Sequence, residues 1–174
     1  KCSLVGFCDA SFANLPDNGS QGAYLIFLID DTGSYSLISW QSRRIRRVVH
    51  STIAAECLPA VETAESCAYL KETLKEMLGK KCRDIPITIL CDNKSLVDHL
   101  HSSTSIENKR LRIDISVLRD MLQRDEISQF KWIPTDIQVA NGLTKKGCST
   151  LYLYEILQNR LQFDISSGAF IPRH

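Results

Sequence analysis

The sequence predicts an α/β domain: a mixed five-stranded sheet, three antiparallel strands first and two more later, flanked by helices. Three observations predict it. Apolar, β-rich runs separated by short Asp/Asn/Gly connectors fill the N-terminal quarter of the chain. A long stretch with helical periodicity follows. A later, nearly continuous β-branched run, IPITILCD, reads as a strand in the middle of a covered sheet.

Taken in order, the first strands are SLVGFCDASF, GAYLIFLID and SYSLISWQS, joined by LPDNGSQG and DDTG, whose turn chemistry marks an antiparallel meander. The sequons at Asn18 and Asn93 read as turn and loop chemistry rather than glycosylation sites. A helix is predicted from about Ser51 to Leu78, with apolar or small residues at 57, 60, 61, 64, 67, 68, 70, 74 and 78. Ser51 or Thr52 supplies its N-cap and Gly79 ends it. Pro59 removes a backbone hydrogen bond inside this stretch, so the helix is expected to bend or start late there. After the strand IPITILCD come a short helix, NKSLVDHLHS, and an amphipathic one, NKRLRIDISVLRDMLQRD, with Leu111, Ile115, Leu118 and Leu122 on one stripe. ISQFKWIP is the last strand, followed by a helix near Ile137 to Lys145. Residues 1–147 then form one domain, and 148–174 a C-terminal helical extension: one helix, STLYLYEILQNRLQ, and a tail.

The chain of 174 residues, 44% hydrophobic and 24% charged, is long enough for a real core and too apolar for global disorder. A net charge of +1 removes any bulk-charge argument for nucleic-acid binding, so polyanion contact must come from local clusters. The seven cysteines are odd in number, match no metal-site spacing and fall partly in apolar runs, which predicts a reduced, intracellular protein. No apolar run is long enough to span a bilayer and no signal peptide is visible, so no membrane partner is expected. The chain begins at Lys1 and enters a strand almost at once, and is expected to be cut from a longer polypeptide.

Three acids stand in apolar surroundings: Asp9 in GFCDASF, Glu56 in IAAECLP and Asp92 in ILCDNKS. An acid at an apolar strand end is costly unless it is paired or binds a cation. Three that converged would repel by roughly 4 kcal/mol per pair at 4 Å and an effective dielectric near 20, so only a divalent ion makes the arrangement stable. An all-oxygen site favours Mg²⁺ or Mn²⁺. Taken singly, each acid reads equally as a turn former or cap, and Asp92 before NKSL suits a helix cap.

FCDASFA, ISWQSRRIRRVVHSTIAAE, ILCDNKSL, NKRLRIDISVLRDML and WIPTDIQVANGLTKKG together resemble the ribonuclease H domain of copia-type LTR retrotransposon reverse transcriptases, over about residues 3 to 147. The resemblance implies a ribonuclease H-like fold and an active site of four acids holding two Mg²⁺ ions, with Mn²⁺ as substitute. Asp9, Glu56 and Asp92 match three of them; the fourth position is Asn141, an amide where the family has an acid. Asp136, five residues earlier, points elsewhere on a helix and cannot replace it. The implied reaction is endonucleolytic hydrolysis of the RNA strand of an RNA–DNA hybrid, leaving 3′-hydroxyl and 5′-phosphate ends. Asn141 keeps an oxygen ligand but loses a charge, which is expected to impair the reaction. A decayed element, an isosteric inactivation and a slow three-acid enzyme all fit that amide.

For substrate, Arg43, Arg44, Arg46 and Arg47 are the strongest basic cluster and suit phosphate contact, or else a solvated turn. Ser51 and Thr52 read as phosphate donors or as the helix cap, and Asn93 as a contact to 2′-hydroxyls in the minor groove. Trp40 and Trp132 read as core or rim aromatics, and Lys109, Arg110 and Arg112 as a wet helix face that could add contacts. Between Asp92 and Asn108 there is no room for an extra basic helix, so isolated affinity should be modest. The implied partners are the hybrid and the polymerase domain of the same polyprotein. The implied location is intracellular, in a cytoplasmic retroelement particle or the nucleus. A catalytically silent nucleic-acid-binding or interaction module and a DNA-cutting integrase core compete with this reading.

Overall fold

In the computed structural model, which describes residues 1–79, 84–103, 106–147 and 149–173, the three N-terminal apolar runs are β1 (Cys2–Ser11), β2 (Ser20–Asp30) and β3 (Tyr35–Ile45). They form the expected antiparallel meander. Asn18 sits in the first connector with φ 57° and Gly33 in the second with φ 83°, left-handed conformations that a turn needs and that Asn and Gly tolerate best. After α1 (Thr52–Leu78), β4 (Ile87–Cys91) enters beside β1 in parallel, and β5 (Gln129–Trp132) adds in parallel to β4. The sheet order is β3-β2-β1-β4-β5, a mixed five-stranded sheet as the sequence predicts. The short α2 (Lys94–His101) and α3 (Lys109–Gln123) lie between β4 and β5 in the chain.

One core lies between the sheet and α1 to α3, where Leu4, Ile26, Ile87 and Ile89 meet Ala60, Ala64, Cys67, Leu111, Ile115 and Leu118. Close approach of α1 to β1 depends on Gly6. A Cβ there would stand 2.5 Å from Thr63 Cγ2.

Pro59 does not delay α1, which starts at Thr52 with the Ser51 hydroxyl accepting from the Ala54 N–H at 3.2 Å and is continuous past the proline. A proline inside a helix costs on the order of 3 kcal/mol. The small residues Ala54, Ala55, Cys57, Ala60 and Ala64, all buried on the sheet, offset that cost through packing.

Two other expectations need correction. The helix near Ile137 to Lys145 is a 3₁₀ turn, Thr135–Ile137, followed by a four-residue α4, Asn141–Thr144. The buried Gln138 breaks it: its Nε2 donates to the Cys8 carbonyl at 2.9 Å and its Oε1 accepts from the Ala140 N–H at 3.2 Å, bonds made in place of a helical ladder. The C-terminal extension is also not a long helix with a tail. Its helix α5 spans only Leu151–Leu157, and β6 (Leu161–Asp164) and β7 (Ala169–Pro172) pair as a hairpin. Alternation decides this: Leu161 and Phe163 point inward, so the segment lays a two-residue period on the free face of the main sheet. There Phe170 stacks on Phe7 with ring centroids 5.9 Å apart and sits edge-on to Phe27, Tyr35 and Phe163. The Phe163 N–H also donates to the Gly33 carbonyl at 2.9 Å. The role of these residues that sequence alone did not give is thus partly a packing one: they close the second core.

Candidate active site

Parallel pairing of β1 with β4 places Cys8 opposite Cys91, so Asp9, the next residue of β1, and Asp92, just past the end of β4, stand at the same end of the sheet. Glu56 reaches that end from the second turn of α1, where its Oε2 accepts from the Ala10 N–H at 3.0 Å. All three predicted acids therefore converge. Asp9 and Glu56 are buried, whereas Asp92 is half-buried at the mouth, its carbonyl held by the Trp132 indole N–H at 3.0 Å. One ligand atom each from Glu56, Cys91 and Asp92 lie within 4.8 Å of one another.

The electrostatics agree with the geometry. Burial, then the neighbouring Cys91, Asp9 and Asp92, push the Glu56 carboxyl up to about 10 against the opposing pull of Lys145. Asp9 is also raised, chiefly by burial and further by Asp92, although the Thr144 hydroxyl and the Lys145 ammonium both act to lower it. A carboxyl set this short of positive charge fits a divalent cation.

Asn141 starts α4 at the edge of this cluster. Its Nδ2 donates to the Thr135 carbonyl at 2.9 Å, and its Oδ1 accepts from the Lys145 ammonium. The same ammonium lies 3.5 Å from Asp9 Oδ1, and the Thr144 hydroxyl donates to Asp9 Oδ2. Asn141 thus meets the acids through a cation of the chain itself. Asp136 is exposed, and its charge acts on Tyr152 instead.

The substrate candidates divide. Arg43 pairs with Glu62, Arg44 with Asp17 and Arg47 with Asp114, while the exposed Arg46 has no ion pair among the described residues. Ser51 is the N-cap of α1, and Thr52, its first residue, is exposed. Asn93 is the N-cap of α2, with Oδ1 accepting from the Leu96 N–H at 3.0 Å. Trp40 and Trp132 are exposed rim residues. The His99 ring is hydrogen-bonded to the Ser95 carbonyl and the His101 ring to the Phe130 carbonyl.

No protein-family model matches the chain. It is 31% identical over 144 residues to the "Retrovirus-related Pol polyprotein from transposon TNT 1-94" of Nicotiana tabacum, which covers 82% of this chain and 10% of the polyprotein. The chain therefore spans about a tenth of that relative's length. Among solved structures it is similar to the N-terminal ribonuclease H domain of a Mycobacterium tuberculosis protein, with a TM-score of 0.55 and 13% identity over 83% of this chain and 91% of that one. It is also similar to ribonuclease H1 from Halobacterium salinarum, with a TM-score of 0.54 and 14% identity over 90% and 98% of the two chains. The chain has the ribonuclease H fold and is related to a retroelement Pol polyprotein. A third neighbour, LC11-RNase H1, was solved in complex with an RNA/DNA hybrid and gives a TM-score of 0.56 at 15% identity, covering 82% of this chain and 94% of that one.

On this ribonuclease H fold, sequence reasoning missed four contributors: Cys91, Gln138, Thr144 and Lys145. The last three stand in the quoted block WIPTDIQVANGLTKKG. Lys145 follows Asn141 by four residues, one helical turn, which was the available signal for their contact. Cys91 passed as a small apolar strand residue. Only the turn of the chain after β4 shows its Sγ beside two carboxylates.

Proposed function

We propose that this chain is a retroelement ribonuclease H that hydrolyses the RNA strand of RNA–DNA hybrids, slowed by Asn141. The observation that carries the reading is the convergence of Asp9, Glu56 and Asp92 at one end of the parallel β1/β4 pair on this fold. Asp9, Glu56 and Asp92 would hold Mg²⁺, or Mn²⁺ in its place, with the Asn141 carbonyl as a fourth, neutral donor. Bound cations would supply charge that offsets the acids and the scissile phosphate and makes a nearby water a better nucleophile.

The chain's own residues perform the positioning. The Ala10 N–H orients Glu56, the Thr144 hydroxyl and Lys145 hold Asp9, and the half-buried Asp92 faces incoming substrate. Lys145 brings a positive charge to the corner where Asn141 lacks a negative one, so the backbone phosphate can approach there without a facing carboxylate. Arg46 adds a phosphate contact at the β3 edge, and Asn93, capping α2 through its oxygen, keeps its Nδ2 for a 2′-hydroxyl. The same reading joins the chain to the polymerase domain of its own polyprotein, in a cytoplasmic particle or the nucleus.

Cleavage of a labelled RNA–DNA hybrid in Mg²⁺ and in Mn²⁺ tests this. Asn141→Asp should cut about 10 to 100-fold faster than the parent, and Asp9→Asn should abolish cutting. If neither the parent nor Asn141→Asp cuts in either metal, the catalytic reading fails. A silent binding module, which the Asn141–Lys145 pairing also suits, would take its place.

A further inference from the structure

The acid cluster is not made of oxygen donors alone. Cys91 ends β4 with its side chain turned toward α1, and its sulfur shares a space 4.8 Å across with the carboxylates of Glu56 and Asp92. The Asn93 N–H points at this sulfur from 3.4 Å. The neighbouring Cys8 thiol donates to the Leu90 carbonyl at 3.6 Å and also lies within hydrogen-bonding reach of the Cys91 sulfur. The Asp92 carboxylate makes no hydrogen bond among the described residues and is half-buried, so a cation can enter from its side. A hard ion such as Mg²⁺ gains nothing from a sulfur at this position. A softer ion gains a strong third ligand.

We infer that Cys91, Glu56 and Asp92 form a binding site for a thiophilic divalent cation of the zinc class, built into the end of the sheet where hydrolysis would occur. Coordination forms one metal–sulfur bond and metal–oxygen bonds to the two carboxylates, and releases to solvent the thiol proton and the proton that Glu56 holds in the cation-free fold, with no change of oxidation state. Such an ion takes two of the carboxylates proposed for Mg²⁺ and so would block hydrolysis. The site itself rests on the donor geometry and not on the nuclease reading.

The test uses the whole chain, without nucleic acid, titrated with Cd²⁺ and followed by the ultraviolet charge-transfer band of the cadmium–thiolate bond. The parent should bind one Cd²⁺ with that band, and Zn²⁺ should displace it. Cys91→Ser should lose the band and weaken Cd²⁺ about 10 to 100-fold while leaving Mg²⁺ affinity, read by calorimetry, unchanged. Asp92→Asn, which keeps every thiol and alters only the half-buried mouth, should weaken Cd²⁺ by a similar factor. Cys67→Ser, whose thiol lies further along α1 against β1, should change nothing. Undiminished Cd²⁺ affinity in Cys91→Ser or in Asp92→Asn, or loss of the band in Cys67→Ser, overturns the inference. A chain that binds Cd²⁺ through Cys91 yet cuts no hybrid keeps this site and loses only the proposed function.

Discussion

Replacing Glu56 with glutamine should change how stability depends on pH. In the cation-free fold the Glu56 carboxyl is pushed up to about 10, while the same group in the unfolded chain titrates near 4.5. Between those values the folded form keeps a proton that the unfolded form has released. Each rise in pH therefore favours unfolding, by up to about 1.4 kcal/mol per pH unit for one proton. From pH 6 to pH 8 the parent should lose on the order of 3 kcal/mol through this group, roughly 5 to 10 °C in Tm for a chain of this size. The amide introduced by Glu56→Gln is neutral throughout and still offers an oxygen to the Ala10 N–H, so it removes this slope without removing the hydrogen bond. Asp9 is raised in the same direction, so its contribution to stability also falls as the pH rises through its titration. The assay is thermal unfolding in chelator across pH 6 to 8, repeated with Mg²⁺, which should flatten the parent's profile by favouring the carboxylate. Parallel profiles of parent and Glu56→Gln in chelator would refute the placement of Glu56 in a charge-poor acid cluster.

Three further outcomes test other parts of the structure. Phe170→Ala empties the centre of the aromatic cluster formed with Phe7, Phe27, Tyr35 and Phe163, and should cost about 3–5 kcal/mol in urea denaturation. A cost below about 1 kcal/mol would mean that the C-terminal hairpin is not part of the core. Gly6→Ala drives a methyl against Thr63 Cγ2 and should cost about 1–3 kcal/mol, most of it regained when Thr63→Ser removes the opposing methyl. Arg46→Ala, in an Asp9→Asn background, should weaken hybrid binding and lower the slope of log affinity against log salt by about one, read by fluorescence anisotropy. The same change at Arg44, already paired with Asp17, should have a smaller effect, and equal effects would contradict the pairing.

The sequence by itself determined the sheet, its meander and the end at which the acids gather. Those features follow from short-range signals: β-branched runs, Asn and Gly in the connectors, Ser51 capping α1, and apolar neighbours on both sides of Asp9 and Asp92. The local cost of Pro59 is visible in sequence, while the packing of small residues that lets α1 start before it at Thr52 is not. Tertiary structure alone decided what the chain does from Gln138 onward. Gln138 ends a helix that its neighbours' periodicity supports, because a strand carbonyl 130 residues earlier competes for its amide. Phe163 and Phe170 become core only because the free face of the sheet lies beneath them. Likewise, Lys145 and Cys91 join the acid cluster through contacts between segments far apart in the chain, which no local pattern of apolar and polar residues encodes.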